Sequence, residues 1–132
     1  MNNSTFRVNY NDPSLLEAKL GNTNFPAASN IYDFADASSI RLVIYNHATT
    51  GAHPMHMHGH NSYILAVGTG TWDGTMVNEA NPQRRDVQLL PNAPSTSEPA
   101  YLVLQFEADN PGVWPLHCKY DHVHMLTCGC CF

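Results

Sequence analysis

Ser39-Ile40-Arg41-Leu42-Val43-Ile44-Tyr45-Asn46 is the stretch on which the fold turns. In an extended chain Ile40, Leu42 and Ile44 fall on one side and Arg41, Val43 and Tyr45 on the other, the period of a strand with one face against a core. Further strand-length runs follow at 55–58, 62–68, 86–90, 100–107 and 113–118. Between them lie Gly68-Thr69-Gly70, Trp72-Asp73-Gly74, Asn81-Pro82, Pro91-Asn92-Ala93-Pro94 and Asn110-Pro111-Gly112, composed of the residues that tight turns demand. Helical periodicity is nearly absent, so the pattern predicts an all-β, antiparallel sandwich or barrel. Upstream, Phe6, Val8 and Tyr10 alternate with Arg7 and Asn9, which predicts a strand over Thr5 to Tyr10. Asp12-Pro13 reads as an N-cap followed by proline at the first helical position, giving one short helix near residues 13–19 before Gly21. Residues 22–39 read as loop, with a short strand near Tyr32.

Length and charge narrow the class. The 132 residues are enough for one domain, expected to cover 1–132. With 43% hydrophobic and only 13% charged residues the chain has the material for a core. Six Lys and Arg against eleven Asp and Glu leave a formal charge of -5, with no basic footprint for a nucleic acid backbone. No apolar run approaches the ~20 residues of a membrane helix. Met1-Asn2-Asn3-Ser4 lacks the basic and apolar regions of a signal peptide. Asn2-Asn3-Ser4 and Asn3-Ser4-Thr5 both fit the N-glycosylation pattern, which has meaning in a secreted glycoprotein.

The chemistry gathers in two places. His53-Pro54-Met55-His56-Met57-His58-Gly59-His60 puts four histidines in eight residues. In an extended chain His56 and His58 project from one face and Met55 and Met57 from the other, while His53, across a proline, can face a different site. Imidazole suits copper, zinc, iron or nickel, so this cluster alone does not name the metal. Leu116-His117-Cys118-Lys119-Tyr120-Asp121-His122-Val123-His124-Met125 adds thiolate, imidazole and thioether donors. Soft sulfur beside nitrogen favours copper: a blue-copper site takes two His and one Cys with a weak axial group, and His53, Cys118, His122 and Met125 supply such a set. Zinc, which also takes Cys and His, is the competitor. Trp72, Trp114, Met55, Met57 and Met76 read as packing residues, and Arg84-Arg85-Asp86 as a solvated turn and strand start. Asp121 is a candidate to orient His122 or His117.

Five segments carry a family resemblance: Asn2 to Tyr10, His53 to His60, Gly68 to Gly70, Asn81-Pro82-Gln83-Arg84-Arg85-Asp86-Val87, and Asp109-Asn110-Pro111-Gly112-Val113-Trp114-Pro115-Leu116-His117-Cys118. They resemble the third, C-terminal cupredoxin domain of fungal laccase-type multicopper oxidases. The resemblance implies a cupredoxin-like Greek-key sandwich and copper as cofactor. It assigns His53 to a type 1 copper and His56 and His58 to the type 2 and type 3 coppers. His117 and Cys118 match the type 3 His and type 1 Cys of the family's His-Cys-His.

Two departures stand beside that match. Lys119 occupies the place of the last imidazole of His-Cys-His, and an ammonium has no lone pair to give a metal. The family's second type 1 His falls at Val123, flanked by His122 and His124. We prefer His122, because Cys-x-x-x-His-x-x-Met resembles the ligand loops of single-domain cupredoxins, with His124 the alternative and Met125 the axial candidate. Residues 126–132 form an atypical Cys-rich tail that reads as a short last strand, a metal-binding tail, or the product of a truncated or shifted reading frame.

The function implied by resemblance is a laccase-like copper domain: one-electron oxidation of phenolic donors coupled to reduction of dioxygen to water, in a secreted protein. The family's trinuclear cluster also draws ligands from another cupredoxin domain, so further cupredoxin domains or an oligomer would have to complete it. Two other readings are a stand-alone type 1 electron carrier without oxidase activity and an inactive truncated fragment.

Overall fold

The alternation at Ser39–Asn46 is realised in a computed structural model as the longest class of strand in a two-sheet sandwich. The structure describes residues 7, 9–118 and 125–130, the last group as backbone alone. Strands β1 (Ile31–Asp33), β2 (Ser39–Asn46), β3 (His53–Met57), β4 (Ser62–Thr69), β5 (Gln83–Arg85), β6 (Val87–Leu90), β7 (Ala100–Glu107), β8 (Gly112–Cys118) and β9 (Met125–Cys130) follow one short helix, α1 (Ser14–Lys19), and a 3-10 turn at Ala27–Ser29. One sheet has the order β1-β9-β8-β3-β6 and the other β2-β7-β4-β5. All pairings are antiparallel except β1 with β9.

The core forms where the inner faces meet. Ile40 from β2, Ile64 from β4, and Leu102, Leu104 and Phe106 from β7 pack against Met55 and Met57 of β3, Leu90 of β6, and Leu116 and Cys118 of β8. Phe106 is fully buried at its centre. A smaller cluster of Leu65, Ala66 and Val103 lies on the outer side of the second sheet, where Tyr63, Trp72, Met76 and Tyr101 cover it. A register shift between Ile64 and Ala66 lets neighbouring β4 residues serve both clusters. Trp72 and Trp114 are packing residues as expected, each giving its indole N–H to a nearby carbonyl, Thr75 and Asn110 respectively, at 2.8 Å.

Three local expectations need correction. Arg7 and Asn9 are outside any strand and Tyr10 lies in an exposed turn, the rest of the expected Thr5–Tyr10 strand falling outside the described residues. The Asn9 side chain accepts the Asn11 N–H at 3.1 Å and its carbonyl the Asp12 N–H at 3.3 Å, a local turn that competes with strand pairing. The helix begins one residue later than expected: Pro13, extended at φ -66 and ψ 129, holds the cap position, and no side chain caps it. Arg84 and Arg85, read with Asp86 as a solvated turn and strand start, already form with Gln83 a strand on the edge of the four-stranded sheet. Asp86 then breaks the run, because the chain leaves one sheet there and enters the other as β6. At the C-terminal end the backbone of Met125–Cys130 pairs with β8 and β1.

Candidate metal centre

The pairing of β3 with β8 decides where each donor points. Met55 lies opposite Cys118, His56 opposite His117, and Met57 opposite Leu116. Residues directly opposite in an antiparallel pair share a face, and successive residues alternate faces. Met55, Met57, Leu116 and Cys118 therefore point into the core, where all four are buried, and His53 shares their parity. His56, His58 and His117 take the outer face. One two-residue period thus sorts the donors into two sets on opposite sides of a single sheet.

On the inner side, Cys118 Sγ lies 3.4 Å from His53 Nδ1, although 65 residues separate them. The thiol is free and buried. On the outer side, His58 and His117 bring their Nε2 atoms to 2.9 Å. The His56 ring lies tilted beside His58 with ring centres 4.5 Å apart and meets His117 edge-on at 5.6 Å. One donor atom from each of the three rings falls within 4.8 Å of the others.

Hydrogen bonds set which nitrogens are available. His56 Nδ1 donates to the Asp86 carbonyl at 2.9 Å, and His117 Nδ1 to the Cys118 carbonyl at 3.0 Å. A carbonyl only accepts, so each Nδ1 carries the proton and each Nε2 keeps its lone pair. Burial, reinforced by the nearby His56 and His117 rings, holds the His58 pKa below the ordinary histidine value. Two ring nitrogens at 2.9 Å need a proton or a metal between them, and with His56 beside them the three imidazoles form a candidate cation site. The donor chemistry fits copper on both sides, imidazoles alone on the outer face and a thiol with an imidazole on the inner.

The chain matches the family model described as "Multicopper oxidase" over residues 2–130. The chain belongs to the multicopper oxidases. Among curated relatives it is 31% identical to Laccase-3 of Botryotinia fuckeliana over 132 residues, covering 89% of this chain and 28% of that protein. It is 34% identical to Laccase-1 of the same fungus, again over 89% of this chain but 20% of the relative. The laccase from Botrytis aclada superposes with a TM-score of 0.79 at 29% identity, over 96% of this chain and 24% of that one. The multicopper oxidase Fet3p shares the fold, with a TM-score of 0.73 at 23% identity. The chain therefore spans between a fifth and just over a quarter of the length of these relatives. The laccase-type resemblance and the all-β cupredoxin-like architecture hold, and copper is the metal of this multicopper oxidase domain.

Of the sequence-derived site residues, the structure brings together His56, His58 and His117 in one group and His53 with Cys118 in another. His122 and His124 lie outside the described residues, as do Lys119 and Asp121. Met125 is placed as backbone opposite His117 at the start of β9. His60, the fourth histidine of the run, does not join either set: it packs on Phe106 at 4.8 Å between ring centres and is buried. Asp86 is the residue that sequence reasoning missed. Its carbonyl accepts both the His56 Nδ1–H and the Met57 N–H, and its carboxylate lies 3.6 Å from His56 Nδ1. Thirty residues separate Asp86 from His56, and only the sheet crossing at Asp86 brings them together.

Proposed function

We propose that this chain is a single copper-bearing domain, covering 1–132, of a laccase-type oxidase that acts outside the cell. His53 and Cys118, with His122 or His124 and an axial Met125, form the type 1 site where electrons enter, and His56, His58 and His117 hold part of the oxygen-reducing cluster. Copper bound there supplies one-electron redox chemistry: phenolic donors each give up one electron and one proton, and dioxygen takes four of each to become water. The chain's own residues do the positioning. Asp86 and the Cys118 carbonyl fix two imidazoles in the tautomer that leaves Nε2 free, and the core clamps Cys118 beside His53. Cys118 and His117 are consecutive, so the two donor sets are linked by one peptide unit and a second time by the His117 Nδ1–H hydrogen bond to the Cys118 carbonyl. The observation that carries this reading is the pairing of Met55 with Cys118 and His56 with His117, which puts a thiol–imidazole pair and a three-imidazole cluster back to back.

Lys119 favours a second reading, a type 1 electron-transfer protein without oxidase activity, because one cluster imidazole is replaced. Copper titration of the reduced, metal-free protein, with zinc as competitor, tests both. An intense thiolate-to-copper absorption band at one equivalent, lost in Cys118→Ser, supports the type 1 assignment; colourless binding refutes it. Oxygen uptake with a phenolic donor then separates oxidase from carrier.

A further inference from the structure

His60 is the one histidine of the 53–60 run that stands outside both donor sets, and its burial calls for a reason. It is 8% exposed, with its ring on Phe106 at 4.8 Å between centres and edge-on to Trp114 at 6.0 Å. Its Nδ1 lies 3.2 Å from the His58 carbonyl. A carbonyl only accepts, so this nitrogen carries the proton and donates. The Nε2 is buried without a hydrogen-bond partner among the described residues. A polar nitrogen left unmatched in the interior costs stability, and a phenyl ring would fill the same place without that cost. What histidine adds there over phenylalanine is the N–H given to His58.

His58 needs such a hold. Strand β3 ends at Met57, so the ladder that sets His56 opposite His117 stops one residue short of His58. The turn beyond it is tied by three other bonds. The His58 N–H donates to the Pro115 carbonyl at 3.0 Å, the Gly59 carbonyl accepts from the Asn110 side-chain amide at 2.9 Å, and the His58 carbonyl accepts from His60. Of these, the His60 bond is the one a side chain makes to the backbone of His58 itself. With both its backbone groups fixed, His58 directs its imidazole at His117, Nε2 to Nε2 at 2.9 Å. We propose that His60 is a positioning residue for the metal cluster: braced between Phe106 and Trp114, it fixes the His58 carbonyl and with it the direction of the His58 ring, leaving its own Nε2 unmatched. This inference rests on reading His56, His58 and His117 as copper ligands.

Two variants divide the packing of His60 from its hydrogen bond. His60→Phe keeps a ring on Phe106 and removes the donor; His60→Asn keeps an N–H near the place of Nδ1 and removes the ring. Each is made in a Cys118→Ser background, which silences the thiol side, and is read by copper competition titration, by paramagnetic resonance of the bound copper and by urea unfolding. His60→Phe should bind copper about tenfold or more weakly, the usual cost of losing an outer partner, with an altered copper spectrum and a urea midpoint close to its parent's. His60→Asn should do the reverse, with a lowered midpoint but nearly parental copper affinity and spectrum. A His60→Phe protein that binds copper like its parent, where His58→Ala in the same background weakens binding, overturns the positioning role and leaves the ligand reading standing. So does a His60→Asn protein that loses copper as badly as His60→Phe. Copper uptake untouched by His58→Ala overturns the ligand reading itself, and the inference with it.

Discussion

Replacing Gly59 by alanine should cost far more than the same change at Gly51, although both glycines have left-handed backbones, at φ 72 and φ 87. The backbone part is common to the two: an L-residue in that region costs about 1–2 kcal/mol. The surroundings differ. A Cβ at Gly51 would meet nothing within 4 Å, whereas one at Gly59 would lie 2.5 Å from Trp114 Cδ2 and 2.7 Å from Cε2 and Cε3. Atoms at 2.5 Å overlap, so the indole must shift, and it is held by its N–H bond to the Asn110 carbonyl and by contact with His60. Overpacking of this kind costs about 1–3 kcal/mol. The totals are about 1–2 kcal/mol for Gly51→Ala and about 2–5 kcal/mol for Gly59→Ala, the latter a large part of the roughly 5–15 kcal/mol that stabilises a domain. Urea unfolding followed by tryptophan fluorescence and far-UV circular dichroism reads the difference. With a slope of about 1–3 kcal/mol per molar urea, the Gly59→Ala midpoint should fall below that of Gly51→Ala by roughly 1 M. Coincident midpoints would refute the argument that Gly59 is required by the approach of Trp114.

Three further outcomes follow from the geometry. Phe106→Ala, at a fully buried centre shared by both sheets, should lower stability by about 3–5 kcal/mol, read as a shift in urea midpoint; a loss under 1 kcal/mol would mean the sheets collapse into the gap. The metal-free protein should lose stability as pH falls below the ordinary histidine value of 6.5, because the His58 pKa is lowered by burial and its ring neighbours, so the unfolded chain binds the proton first. Melting temperature against pH checks this, and His58→Gln should flatten the curve on the acid side. Asp86→Asn should reduce copper affinity less than about tenfold, the lower limit of the usual cost of an outer partner, because the backbone carbonyl at 2.9 Å remains while only the carboxylate at 3.6 Å changes. A loss beyond a hundredfold in a copper competition titration would make the carboxylate the true partner.

The sequence discloses whatever depends on period and hides whatever depends on sheet crossing. The strands at Ser39–Asn46 and Ala100–Glu107 lie where strand-length runs are read, the first because one face is buried and a slip would expose it, the second because an apolar run is buried on both faces. The opposite directions of His56 and Met55 are legible from the period. Gln83–Arg85 is not, since a fully exposed edge strand buries nothing and leaves no hydrophobic signature. The helix was legible as a helix but not its exposed leucines: Leu15, Leu16 and Leu20 look like core residues, yet all three are exposed. Asp86 combines both limits. As one residue of Arg84-Arg85-Asp86 it looks like a solvated charge, and its side chain is indeed 61% exposed. Its importance lies in the backbone, at the point where the chain leaves the edge of one sheet to pair with β3 in the other. A carbonyl freed from regular pairing at that crossing can serve an imidazole and a strand N–H together, and any residue type there would supply it. Side-chain identity therefore carries no trace of the role, and the Asp86→Asn titration separates the two contributions because it alters one and leaves the other.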